Sequence, residues 1–171
     1  RPSTMMAGRH LPLLLVLFVG SGCAALIYQI VWFQLLQLVI GSSAISLGVL
    51  LGTFMGGMCL GSFALSRVVS ARHHPLWVYA LLELGIAISG LLVLFLIPVI
   101  GEAYSALGGQ DAGGIFWRAV LCGICLLPPT VLMGATLPAI ARWLRATPSG
   151  VSWLGYFYGG NTAGAVFGCL L

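Results

Sequence analysis

Five long apolar runs, separated by short segments that hold most of the charge, leave this chain of 171 residues few folds to choose from. Seven arginines and three acids make up all of its charge, 6% of residues against roughly a quarter in a soluble domain. Mean hydropathy is +1.11. About 20 helical residues cross a bilayer core, and backbone polar groups in lipid must be satisfied within the segment, so runs of this length form transmembrane helices. They fall at 11–36, 44–65, 76–100, 115–144 and 154–171. The expected fold is an all-α, polytopic transmembrane bundle of about five spans, a single domain over 1–171 embedded in a lipid bilayer. The first run is too long for the core of a cleaved leader and lacks a clear small-residue cleavage site, so it is read as retained.

The arginines sort by side. Arg1 and Arg9 precede the first run, Arg67 and Arg72 follow the second, and Arg142 and Arg145 end the fourth. The opposite connections, 37–43 and 101–114, carry no basic residue, and the second holds Glu102 and Asp111. Basic residues stay on the cytoplasmic side, which places the N-terminus there, and the expected location is the inner (cytoplasmic) membrane. Tyr28, Trp32, Trp77, Trp117, Trp143 and Trp153 fall near the ends of runs, as interfacial anchors do. No basic cluster with interleaved aromatics exists to track a phosphate backbone, which argues against nucleic acid as a partner. The five cysteines sit in apolar stretches. Cys122 and Cys125 form a C-x-x-C without further ligands beside it and read as packing residues, and the adjacent His73 and His74 are too few for a metal. No catalytic residue, cofactor site or metal site is assigned.

Within the fourth run, "LLPPTVLMGATLPAIARWLR" (126–145) carries Pro128, Pro129 and Pro138. Each proline lacks an N–H, which frees the carbonyls of Ile124, Cys125 and Gly134. The expectation is a helix bent or unwound between Cys125 and Thr130, with the freed carbonyls turned to another helix or to water, and with Thr130 and Thr136 supplying hydroxyls nearby. Glycines at intervals of four mark close helix approach in lipid. Gly48, Gly52 and Gly56 form one such groove, Gly57 and Gly61 a second series, and Gly160, Gly164 and Gly168 another groove. They read as packing seams of a compact bundle.

Glu83 is the one acid inside a run, and an ionisable group there is functional by default. Counting helical rise from the run ends puts Glu83, Asn161 and Thr136 at similar depth, about 10 to 12 Å into the core, so the three are expected to form one intramembrane polar cluster. Two roles are open: a carboxyl that joins helices by hydrogen bonding, or a site for a proton or cation. Arg118, a few residues inside the opposite face, reads as a snorkelling or loop-paired charge with Glu102, Asp111 or Gln29 as partner, or less simply as a substrate contact.

"SGCAALIYQIVWFQLL" (21–36), "GTFMGGMCLGSFALSR" (52–67), "YALLELGIAISGLL" (79–92), "PPTVLMGATLPAIAR" (128–142) and "YFYGGNTAGAVFGCLL" (156–171) resemble, in this order, the membrane half of fused spermidine synthase-like proteins. In that family a multi-pass domain, similar to half of a major facilitator transporter, precedes a soluble aminopropyltransferase-like domain. The resemblance covers nearly the whole chain and implies polyamines or related cationic amines as ligands. Gln29 stands where the family commonly has an acid, and no nucleotide-binding glycine loop or acidic aminopropyltransferase motif occurs, so an enzyme active site is expected outside these residues. Three functions follow: the membrane domain of a spermidine synthase-like protein without a complete catalytic site; half of a polyamine or small-cation transporter; or a structural accessory subunit, bound to a membrane-protein partner or to a second copy. Five crossings from a cytoplasmic N-terminus put residue 171 outside, whereas the family's soluble domain works in the cytoplasm. The chain is therefore expected to be a fragment, with a further hydrophobic helix after Leu171.

Overall fold

The computed structural model describes residues 3–68, 74–106, 112–145 and 150–171; expectations resting on Arg1, Arg72, His73 and Asp111 lie outside the described residues. Five helices follow one another: α1 (Ser3–Ile40), α2 (Ser43–Val68), α3 (Pro75–Ala106), α4 (Ala112–Arg145) and α5 (Gly150–Leu170). The protein is an all-α bundle. Its helices α1 to α4 are long and apolar enough to cross a membrane, which makes it a multi-pass membrane protein in a bilayer environment. The expected fifth span is a helix but is not among these four. Asn161, the tyrosines and the glycines dilute its hydropathy, and its Gly168 packs beside Cys23, midway along the apolar part of α1.

Local chemistry sets the helix ends. Gly41 has φ +77° and its N–H donates to the Gln37 carbonyl at 2.9 Å, a left-handed cap that only glycine adopts cheaply. Ser42 then caps α2, its Oγ facing the Ile45 N–H at 3.5 Å. Pro75 opens α3 at the first helical position, where a missing N–H costs nothing.

Contacts between helices fix their directions. Ser21, Tyr28 and Val39 of α1 meet Glu83, Gly90 and Gly101 of α3 in rising order, and Val19 and Cys23 meet Gly164 and Gly168 of α5, so α1, α3 and α5 run the same way. Gly57 and Gly61 of α2 meet Thr130 and Val131 of α4, and these two run together in the opposite sense. One core cluster, around Phe18, Tyr79, Ile140, Leu144 and Phe157, lies toward the end that carries Arg142 and Arg145; a second, around Trp32, Leu36, Ile97 and Leu126, lies toward the other end. Trp32 corrects an expectation: it is wholly buried and stacked on Tyr28 at 5.4 Å, a core residue and not an interfacial anchor.

The glycine series divide in an unforeseen way. Gly160, Gly164 and Gly168 do form a seam, against Leu15, Val19 and Cys23 of α1. Between α2 and α4 the seam is made by Gly57 and Gly61, which face Thr130 and Val131, and by Gly134, which faces Met58. Gly48, Gly52 and Gly56 are exposed, and a Cβ at any of them would meet nothing within 4 Å. Their groove is an outer face of the bundle and not an internal seam. A repeat of four marks both faces of α2 equally, and only the partner decides which one is covered.

Of the bent or unwound helix expected at the prolines, α4 corrects the unwound form. It runs as one uninterrupted helix through Pro128, Pro129 and Pro138. The Thr130 Oγ1 lies 2.9 and 3.0 Å from the Leu126 and Leu127 carbonyls and donates back into the turn that holds the prolines. Pro129 and Thr130 are fully buried, so packing on both sides holds the helical path. The third freed carbonyl found the partner the argument required: Ser62 Oγ of α2 lies 2.9 Å from the Gly134 oxygen, which Pro138 leaves without its backbone donor. The same hydroxyl is 2.9 Å from its own Met58 carbonyl. Intramembrane hydrogen bonds contribute about 0.6 to 2 kcal/mol. Ser62→Ala should cost about 1 kcal/mol on that scale in reversible unfolding from mixed micelles. In a Pro138→Ala background, where the backbone donor to Gly134 is restored, the same change should cost far less; equal costs in the two backgrounds would refute the pairing.

Candidate cation site between α1 and α3

Glu83 lies eight residues after Pro75, about 12 Å along α3 at 1.5 Å per residue. Its partner is on α1: Ser21 Oγ donates to Glu83 Oε1 at 2.7 Å. Tyr79, one turn earlier on the same face of α3, interacts through its hydroxyl with both Glu83 and Ser21. Tyr79 is itself buried, held by Phe18 with ring centroids 5.9 Å apart. Three elements of chemistry, a carboxylate, an aliphatic hydroxyl and a phenol, therefore meet at one level of the membrane.

Space adjoins this group on two sides. A groove of about 570 Å³, open at the outer face of the bundle where Leu17, Gly20 and Ala80 are exposed, lies toward the arginine-rich end, with Leu14 and Leu76 also in its walls. A smaller one of about 100 Å³ lies on the far side, where Tyr28, Ile86, Ala87 and Met133 close in. Ser21, Ala24 and Glu83 belong to the walls of both. Small side chains make the room: Gly20 and Ala24 on α1 face outward across from Ala80 and Ala87 on α3, and a Cβ at Gly20 would meet nothing within 4 Å. The larger groove has an apolar lining with its polar atoms gathered at one end. That is the arrangement expected of a site that takes an ammonium group at its polar end and an alkyl chain along its apolar wall. Acceptor oxygens of Glu83, Ser21 and Tyr79 are complementary to the three donors of a primary ammonium, and an ionised carboxylate strengthens each such bond.

The other residues singled out in the sequence are placed as follows. Asn161 stands against Gly22, on the α5 side of α1, level with Ser21 but across the helix from Glu83. The Thr136 Oγ1 donates to the Met133 carbonyl of its own helix at 2.8 Å. Matched depth thus placed Glu83 and Asn161 at one level without joining them, since helix rise says nothing about which way a side chain faces. Arg118 donates from Nη1 to the Val39 carbonyl at 3.1 Å and lies 5.8 Å from the Tyr104 ring centroid. Val39 is in the last turn of α1, so this guanidinium serves the negative end of a helix. Arg142 does the same for α2, with Nη2 3.1 Å from the Leu65 carbonyl. Cys122 is buried and Cys125 partly buried in α4, and His74 stands just before α3, its carbonyl accepting from Val78 N–H at 3.2 Å. Ser21 and Tyr79 were not foreseen. Tyr79 was within reach of sequence reasoning, because the i, i+4 spacing puts it on the face of Glu83; Ser21, on another helix, was not.

Compared with family models, curated proteins and solved structures, the chain gives no match in any of the three.

Proposed function

We propose that this chain is a membrane domain that binds a protonated alkylamine at Glu83. The observation that carries the reading is the Ser21–Glu83–Tyr79 group at the polar end of an apolar groove of about 570 Å³ between α1 and α3. The resemblance to the membrane half of spermidine synthase-like fusion proteins points to the same ligand class, polyamines or related amines, and to a major facilitator-like half whose catalytic domain lies elsewhere. The arginine distribution supports a cytoplasmic N-terminus in the inner membrane. In this orientation the larger groove lies on the cytoplasmic side of Glu83, where the amine is taken up or released if the chain works as half of a transporter.

Binding of spermidine to the purified protein in detergent, followed by isothermal titration, tests the proposal. Glu83→Gln keeps the shape and hydrogen-bonding capacity and removes the charge; it should weaken binding at least tenfold, while Glu83→Asp retains part of it. Equal affinity of wild type and Glu83→Gln would refute it. A second reading, a structural accessory subunit, is favoured by the exposed Gly48, Gly52 and Gly56 face, which is shaped to admit another helix. Loss of a co-purifying partner in Gly52→Leu, with spermidine binding absent in the wild type, would favour that reading.

A further inference from the structure

A second cleft, which shares no lining residue with the Glu83 site, lies between the last turns of α4 and the first turns of α5. Its volume is about 540 Å³. Helices α4 and α5 scarcely touch, because α5 is anchored to α1 through Gly160, Gly164 and Gly168, and the gap between them stays open. Leu137, Pro138 and Ala141 form one wall, Leu154 and Tyr158 the other, and the exposed Arg145 stands at the end. From Leu137 to Arg145 is eight residues of helix, about 12 Å. Half of a bilayer core about 30 Å thick is about 15 Å. The cleft therefore has the depth of one leaflet, with apolar walls where acyl chains lie and a guanidinium where phosphates lie.

We propose that this cleft holds an anionic phospholipid, its phosphate on Arg145 and one acyl chain along the Leu137, Ala141 and Leu154 walls. Guanidinium pairs with phosphate through parallel N–H bonds. Arg142 and Arg67 stand at the same end of the bundle, in the last turns of α4 and α2, and raise the positive potential there. That potential favours a head group with net negative charge over a zwitterionic one. The start of α5 adds the positive end of a helix dipole at the same mouth.

Native mass spectrometry of the full chain released from detergent tests this, with added dioleoyl phosphatidylglycerol, dioleoyl phosphatidylcholine or inorganic phosphate. One phosphatidylglycerol should be retained per protein, in preference to phosphatidylcholine and undisturbed by a large excess of inorganic phosphate. Arg145→Gln should lower that preference about fivefold, the effect of one basic residue near a membrane surface. Gly155→Leu is the second variant: a Cβ at 155 meets nothing within 4 Å, so the new side chain enters the cleft without disturbing the fold. It should reduce retention of the lipid without lowering the melting temperature, since leucine is the better helix former. Equal retention of the two lipids, displacement by inorganic phosphate, or unchanged retention in both variants would overturn the proposal.

Discussion

Gly134→Leu is expected to separate α2 from α4 and abolish the folded bundle. A Cβ at 134 would meet the Met58 backbone, with the carbonyl carbon at 2.7 Å, and a Cβ at 61 would meet the Val131 carbonyl carbon at 2.8 Å and the Ala135 nitrogen at 3.0 Å. Backbone in a helix cannot rotate aside as a side chain can, so the helices themselves must move apart. Overpacking costs about 1 to 3 kcal/mol even where side chains yield. Alanine regains about 1 kcal/mol of helix propensity over glycine. Gly134→Ala and Gly61→Ala should therefore each destabilise by about 2 kcal/mol, near the upper end of overpacking less the propensity gain. Leucine, with three more carbons in the same space, should leave no cooperative unfolding transition. Gly52→Leu is the control, because position 52 faces open space: it should not destabilise the bundle and should gain up to about 1 kcal/mol of helix propensity. Similar behaviour of the 134 and 52 leucine variants in micelle unfolding would show that the seam is not where the backbones meet.

That pair of glycines also shows how far the chain's own letters reach. Apolar run length fixed the helices to within a few residues for α2 and α4, because desolvated backbone has no alternative to helix in lipid. It understated α1 and α3, which continue past the apolar core to Ile40 and Ala106. Prolines were harder to read. Their local cost argued for a bend or an unwound turn at Pro128, yet the helix continues there; at Pro138 the freed Gly134 carbonyl is met from another helix by Ser62, a tertiary contact that no local pattern announces. The seams were legible as a motif and illegible as an address: Gly48, Gly52 and Gly56 satisfy the same spacing as Gly160, Gly164 and Gly168, yet one set is open and the other is packed. Glu83 was legible because a carboxyl in such a run is rare. Its partner was not, because a serine between glycines on another helix has no local signature. Neighbouring helices supply what local patterns omit, and the site at Glu83 is built almost wholly from such a neighbour.

Glu83→Leu should leave the bundle as stable as the wild type, or more so, and remove amine binding. An ionisable group near the centre of a transmembrane helix costs about 2.5 to 3.5 kcal/mol on insertion scales, whereas leucine contributes about −0.6. Against that gain stands the loss of two hydrogen bonds, from Ser21 and from Tyr79, each worth about 0.6 kcal/mol on average in lipid. The balance favours leucine by at least about 1 kcal/mol, and its side chain adjoins Leu14, Leu17 and Leu76 in the groove wall. A carboxyl kept merely to join α1 to α3 gives the opposite result, with stability falling in Glu83→Leu and by a similar amount in Ser21→Ala. Charge-assisted hydrogen bonds contribute about 1.5 to 3 kcal/mol, so loss of the carboxylate should weaken spermidine affinity at least tenfold. Ser21→Ala removes one neutral hydroxyl and should weaken it by a smaller factor. Measured together, unfolding in micelles and spermidine titration separate the two roles of Glu83. Stability maintained with binding lost identifies a ligand site held at an energetic cost, while stability lost with no spermidine binding in the wild type identifies a structural tie.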